Sequence, residues 1–328
     1  MLRSVDDFVS FTKVVNTGTF YQGTTVFLDA DIDIPYNSLL QFNAVGNTTS
    51  NYFRGTFDGQ GHVISNLAIN SALQYTGLFG YANSGVSIRN VVLDKSCSFT
   101  SYYGSSDAYI GGIIGYCYAN SAQCLIENIV NMGDVSFNGS ASSSDLYLGG
   151  IAGRLLSTSS YIARVTNCAN YGSVVQSGNS STSYIGGIVG FLESSNYKYI
   201  QNCINHGSII QDRTAKTTNN LYVGGIAGNS YYTYIENCVS IGTISRFGST
   251  GSDYIGGIVG CASLYTFNYF CYWKSDAGFN KLAGIDNSLI FNCSTYNGIT
   301  LEFPRPVTVF NYTGTSLVDA LNNCSNYY

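Results

Sequence analysis

The sequence predicts an all-β fold, a right-handed parallel β-helix (a solenoid) with a short N-terminal capping helix. Three observations predict it. The heptapeptide Tyr-x-Gly-Gly-Ile-x-Gly occurs five times, at Tyr109–Gly115, Tyr147–Gly153, Tyr184–Gly190, Tyr222–Gly228 and Tyr254–Gly260, with steps of 38, 37, 38 and 32 residues. Between copies runs a second element, aliphatic-x-Asn-small: Ile88–Val91, Ile126–Ile129, Val165–Cys168, Ile200–Cys203 and Ile235–Cys238. The composition is rich in Gly (37) and poor in Pro (3), with 45% hydrophobic and only 10% charged residues. Short strands rich in Ile and Val and punctuated by Gly and Asn give about three strands per repeat. One repeat cannot bury its apolar face alone, so stacking at about 4.8 Å per strand is what makes a core. A four-stranded propeller blade, usually marked by a Trp-Asp signature, fits a chain with one Trp poorly.

The elements follow in order. Residues 1–50 read as an N-terminal cap. Ser4 is an N-cap with Asp7 three residues on, and Phe8, Phe11 and Val15 share one side of a helix. Such a helix covers the open end of a solenoid. A shorter relative of the heptapeptide, Tyr75–Gly80, precedes the five copies within residues 51–265, the β-helix repeats. In the heptapeptide both the x position (Ile110, Leu148, Ile185, Val223, Ile255) and the Ile three later are aliphatic. Strict alternation cannot bury both, so a bend at Gly-Gly must shift the parity. The Asn positions 90, 128, 167, 202 and 237 suit left-handed corners whose amides stack into a ladder. Polar stretches at 101–108, 138–146, 176–183, 211–221 and 246–253 precede the same repeat position. They read as mobile loops on one edge, tolerant of deletion at 212–219. Residues 266–328 read as degenerate coils and a tail, with a helical signal at 316–321. The end so soon after it leads to the expectation that further domains of the same polypeptide follow.

Charge narrows the partners. The formal net charge is −5 and the pI about 4.9, with no basic stripe, so nucleic acid is not expected. No apolar run approaches the roughly 18 residues of a membrane span. The first residues lack the apolar stretch of a signal peptide. Six N-x-S/T sequons (Asn47, Asn138, Asn179, Asn292, Asn311, Asn323) are compatible with a secreted glycoprotein.

Candidate chemistry is sparse. Most of the 19 acidic residues are scattered, and Asp107, Asp145 and Asp253 read as loop residues before a Tyr-x-Gly-Gly copy. Glu127 and Glu236 occupy the same repeat position on different coils. Asp58-Gly-Gln-Gly-His62 reads as a Gly-rich turn. His62 and His206 lie in no H-E-x-x-H motif. Asp29, Asp31 and Asp33 alternate on one strand without a calcium-loop pattern and read as a solvated face. Cys168, Cys203 and Cys238 share the position of Val91 and Ile129, which says buried thiol, not metal ligand. Cys117 with Cys124, and Cys261, Cys271, Cys293 and Cys324, are left open as disulfide partners. No catalytic, cofactor-binding or metal residues are expected. The candidate binding surface is the tyrosine row Tyr109, Tyr147, Tyr184, Tyr222 and Tyr254, either a stacked structural ladder or an exposed recognition strip.

The segment Phe53-Arg-Gly-Thr-Phe-Asp-Gly-Gln-Gly-His-Val-Ile-Ser-Asn-Leu67, with Gly77-Leu-Phe-Gly80 and the Gly-Gly-Ile-x-Gly copies, resembles the GLUG-motif repeat family. Asp29–Asp33 and Cys271-Tyr-Trp273 fit the same pattern, so the resemblance spans roughly residues 4–275. Such repeats form non-catalytic segments of IgA1-protease-type bacterial surface proteins and of trichomonad-like protist surface proteins. The resemblance implies a cell-surface or secreted adhesion and display module, not an enzyme. Its partner would be a protein or glycan on a host or neighbouring cell. The alternatives are a structural stalk or coat element, including a virion surface, and more distantly a glycan-processing β-helix enzyme.

Overall fold

Each repeat closes one coil of a parallel β-solenoid of about seven turns, with one short helix at the N-terminal end. The computed structural model describes residues 1–35, 42–158, 161–212, 214–247, 251–262, 265–274, 283–286, 289–291 and 294–296. The helical signal at 316–321, Cys293, Cys324 and the sequons at Asn292, Asn311 and Asn323 lie outside these residues.

A coil begins on a six-stranded sheet carrying the tyrosines: Tyr75–Thr76, Ala108–Gly111, Leu146–Gly149, Ser183–Gly186, Asn220–Gly224 and Ser252–Gly256. The chain bends at Gly-Gly and enters a 20-stranded sheet through strands such as Ile114–Ala119 and Ala152–Ser157. It turns, returns along strands such as Cys124–Asn131 and Ala163–Asn170, and reaches a second six-stranded sheet that includes Asp134–Phe137 and Val174–Gln176. All these pairings are parallel and in register: Tyr109 opposes Tyr147, and Tyr147 opposes Tyr184.

The Gly-Gly bend does what the apolar pattern demands. Ile110 and Ile113 are both fully buried, although three residues apart. Ile113, Ile151, Ile188, Ile226 and Ile258 form one buried column, each backbone N–H bonding to the next isoleucine's carbonyl at 2.8–3.0 Å. Burying each such side chain contributes about 1.5–3 kcal/mol. The glycines are required by space. A Cβ on Gly150 would lie 2.4 Å from Asn170 Cγ and 2.2 Å from the Gly187 carbonyl; on Gly187 it would lie 2.2 Å from Asn205 Cγ. The second glycine thus presses against the far wall of its own coil, and the solenoid is pinched there.

That far wall is an amide ladder. Asn131 Nδ2 donates to Asn170 Oδ1 and Asn170 Nδ2 to Asn205 Oδ1, both at 3.0 Å. The same Nδ2 groups also bond the carbonyls of Gly133 and Gly172 at 2.9 Å. Full satisfaction is what lets three fully buried asparagines persist. A second ladder runs along the corner. Asn90, Asn128, Asn167, Asn202 and Asn237 have φ of 50–55°. Each amide from Asn128 onward donates to the preceding one at 3.0–3.1 Å, and Asn90 donates to Asp58.

The N-terminal helix, Val5–Asn16, caps the stack. Ser4 Oγ accepts from the Asp7 N–H at 3.2 Å. Phe8, Phe11 and Val15 are buried, and Phe11 packs on Tyr21, Phe53 and Phe57. The expectation of deletable loops needs correction. Ser140–Ala141 pairs with Asn179–Ser180, and Ser180 bridges to Thr217, so successive stretches stack on one another. Ala141, Ser180, Ala215 and Thr217 are buried. Removing 212–219 deletes part of a packed layer.

The cysteines fall into the core. Cys168, Cys203 and Cys238 continue the column of Val91 and Ile129, and Cys271, left open in the sequence, is its next member. In each of the four, Sγ donates to a backbone carbonyl, at 3.2–3.3 Å to the residue two before it, and Cys168, Cys203 and Cys238 are free thiols. Cys117 and Cys124 are likewise free and buried. A straight column supplies no tetrahedral set.

The corner ladder generates a prediction. Asn167→Ala loses two ladder bonds and places a Cβ without a compensating amide in left-handed backbone, destabilising by about 2–3 kcal/mol. Asn167→Gly keeps the backbone preference and should lose less. Denaturant titration of both variants checks this; no loss in Asn167→Gly would mean that the ladder contributes nothing, and equal losses that the left-handed backbone does not.

Candidate ligand-binding groove

The pinch shapes the outer surface. Where the tyrosine strand meets the strand after Gly-Gly, the side chains of the two rows converge and meet along the solenoid axis. One wall is the tyrosine row, extended N-terminally by Tyr75. Successive rings from Tyr75 to Tyr254 lie 4.9–5.4 Å apart with interplanar angles of 4–17°. The other wall is the residue just after each Gly-Gly-Ile-x-Gly or its relative: Tyr81, Tyr116, Arg154, Phe191, Asn229 and Cys261, in register. Alignment of that position was the sequence signal for this wall, and it went unread.

The two walls close on each other in the N-terminal coils. Tyr116 lies 4.8 Å from Tyr109, and Phe191 lies 5.0 Å from Tyr184. Arg154 sits 4.8 Å from the Tyr147 ring centroid and pairs with Glu193. This cation–π contact is partly desolvated, which strengthens it. Burial alone would lower the Arg154 guanidinium, but Tyr147 and Glu193 hold it above its ordinary value. Tyr109 and Tyr147 are therefore only 7% and 5% exposed. Tyr184, Tyr222 and Tyr254 are half-buried, because the second wall shrinks to Asn229 and Cys261 beside the last two. Of the five tyrosines expected to form one surface, Tyr109 and Tyr147 are buried, Tyr184 is half-buried and faced by Phe191, and Tyr222 and Tyr254 are half-buried.

Charged groups near the tyrosine row are tied to neighbours. Asp107 accepts from the Tyr109 hydroxyl at 3.3 Å and from the Asp145 backbone N–H at 2.9 Å. Burial and then Asp107 raise the Asp145 carboxyl. Asp253 lies within a strand, not in a loop, and pairs with Arg246. Glu127 and Glu236 share a column but are separated by the coils of Thr166 and Gln201.

The remaining candidates do not assemble. Asp29 pairs with Arg3, Asp31 with His62, and Asp33 with Ser65 and Asn66. Asp58 binds Arg89 and its own turn at Gln60. His206 stacks on Tyr171, coils away from His62. Among the described residues no three His, Cys, Asp or Glu side chains are grouped to hold a metal ion. A second aromatic column, also missed, runs through Tyr199, Tyr234 and Phe267 at 5.0–5.3 Å on the return strands.

Among solved structures, the chain is similar to a crystal structure at 1.30 Å resolution described as a "putative immunoglobulin A1 protease" from Bacteroides ovatus. The TM-score is 0.50 at 18% identity, covering 90% of this chain and 83% of that one, and this likeness shows the fold alone. No protein-family model matches the chain, and no curated protein matches it.

Burial pushes the phenols of Tyr81, Tyr109, Tyr147 and Tyr184 far above the ordinary tyrosine value, and that of Tyr116 up to about 12. A pKa raised on folding means that the unfolded chain gives up protons first as pH rises. Stability is therefore complete below pH of about 10, the unfolded tyrosine value, and is lost above it. Phenolate absorbance and circular dichroism followed together from pH 8 to 13 should show these rings ionising only with unfolding. Full ionisation near pH 10 in a folded protein would contradict the packing.

Proposed function

We propose that this chain is a non-enzymatic adhesion and display module of the GLUG-repeat type, exported and carried at a cell surface. Its rigid solenoid presents the half-buried end of the tyrosine row to a surface protein or glycan of a host or neighbouring cell. The observation that carries this reading is the change along one tyrosine column from buried rings at Tyr109 and Tyr147 to half-buried rings at Tyr222 and Tyr254. A purely structural ladder has no need of the exposed edges. Tyr also adds contact area at little entropic loss, which suits recognition.

Three further points support it. The carboxylates near the tyrosine row are engaged in pairs or backbone bonds, not poised as an acid and a base across a substrate position. His62 and His206 lie in no H-E-x-x-H motif and sit on different coils, His62 paired with Asp31 and His206 stacked on Tyr171. The described residues contain no helix long and apolar enough to cross a membrane, which fits a module carried outside one.

The test is binding of fluorescently labelled protein to intact cells. Tyr222→Ser with Tyr254→Ser should reduce binding at least about tenfold, equivalent to about 1.4 kcal/mol, while the melting temperature changes by only a few degrees. Unchanged binding per folded molecule, with a large fall in melting temperature, would favour a stalk or coat element instead.

A further inference from the structure

We propose that Cys117 and Cys124 are a dithiol that a small disulfide oxidant closes to a disulfide, locking the corner of one coil, while Cys168, Cys203 and Cys238 stay reduced. The proposal is independent of the adhesion reading.

Placement is the first argument. Cys117 lies on the strand Ile114–Ala119, and Cys124 opens Cys124–Asn131, the next strand of the same coil. Each is 1% exposed, and they stand on the two sides of the turn at 120–123. The neighbouring coils carry Ala82 with Val86 and Leu155 with Ala163 at the same two positions. Aliphatic pairs therefore meet the packing need, and of these three coils one alone puts a thiol on both sides.

The thiols' partners are the second argument. Cys97, Cys168, Cys203 and Cys238 each donate to a backbone carbonyl at 3.2 Å. Cys117 and Cys124 have their side chains in contact with each other. A thiol is a weak donor and a weak acceptor, so closing this pair gives up little, whereas pairing within the column gives up carbonyl bonds.

Strand geometry separates the two sets further. Members of the column stand one above another on parallel strands in register, so their Cβ atoms stay about one strand spacing apart, ~4.8 Å. A disulfide needs a Cβ separation of about 3.5–4.5 Å. Cys117 and Cys124 approach across a turn within one coil and are not held to that spacing.

Oxidised glutathione supplies the chemistry by exchange. The Cys124 thiolate attacks one glutathione sulfur, forming a mixed disulfide and expelling one glutathione thiolate. The Cys117 thiolate then attacks the Cys124 sulfur, forming the Cys117–Cys124 bond and expelling the second. The two protein thiols lose two protons and two electrons, and one oxidised glutathione becomes two reduced molecules. Burial raises the Cys117 thiol, so exchange proceeds through local opening of the turn, whose Asn120, Ser121 and Gln123 are exposed. Cys117 stands between Tyr116 and Tyr118, and Tyr116 stacks on Tyr109 at 4.8 Å. The new bond thus anchors the strand that covers the buried part of the tyrosine row.

The unmodified chain, incubated with oxidised or with reduced glutathione, then denatured, alkylated with iodoacetamide and mapped by mass spectrometry, tests this. The oxidised sample should yield a peptide linked through Cys117 and Cys124, with Cys97, Cys168, Cys203 and Cys238 alkylated in both samples. Full alkylation of Cys117 and Cys124 in the oxidised sample, or linkage of either to another cysteine, would overturn the proposal. The oxidised chain should melt a few degrees above the reduced one, and Cys117→Ala with Cys124→Ala should remove that difference. Equal melting of the two unmodified forms, or a difference that survives the double substitution, would overturn the lock. Mapping of the unmodified chain does not depend on any variant folding.

Discussion

Close contact between the second glycine of each Gly-Gly pair and the opposite wall of its own coil is the constraint on which the rest of this structure depends. Gly150 meets Asn170 and Gly187 meets Asn205 with no room for a Cβ. The contact fixes the bend that lets Ile110 and Ile113 both face inward. It also sets the shape of the coil. At that bend the tyrosine row meets the row that follows each Gly-Gly-Ile-x-Gly. Core and candidate site thus have one origin.

What faces the tyrosine row then decides what the row can do. Tyr116 and Arg154 cover the rings opposite them, and there the tyrosine column is part of the molecule's stability. Opposite Asn229 and Cys261 the tyrosines of the same column are half-buried. In a solenoid each coil touches mainly its neighbours, so such a change can occur at one coil without disturbing the others. The cysteine column and the two amide ladders follow the same logic, one small polar group per coil, each bonded within its own coil or to a neighbouring one.

Much of the fold was legible because a stacked repeat writes each structural column into the sequence several times. The isoleucine column, the left-handed corner asparagines and the Ser4-capped helix were all readable from spacing. The reason for the glycines was not. It lies in Asn131, Asn170 and Asn205, 18–20 residues downstream of their glycines, and nothing in a linear pattern says that those positions touch. The polar stretches misled for a similar reason. Ser, Thr and Asn look like solvent-facing loop residues, yet Ser180 and Thr217 are buried because their partners arrive from the next coil. At the candidate site the tyrosine row was visible, but its covering residues Tyr116, Arg154 and Phe191 differ in type from coil to coil and so did not register as a column.

A double-mutant cycle between Gly150→Ala and Asn170→Ala measures the pinch most directly. If the contact across the coil sets the fold, shortening Asn170 relieves part of the strain introduced at Gly150. The two losses in unfolding free energy should then sum to more than the loss in the double variant, by about 1 kcal/mol or more. Additive losses, within about 0.5 kcal/mol, would mean that Gly150 and Asn170 do not constrain each other and would contradict the account.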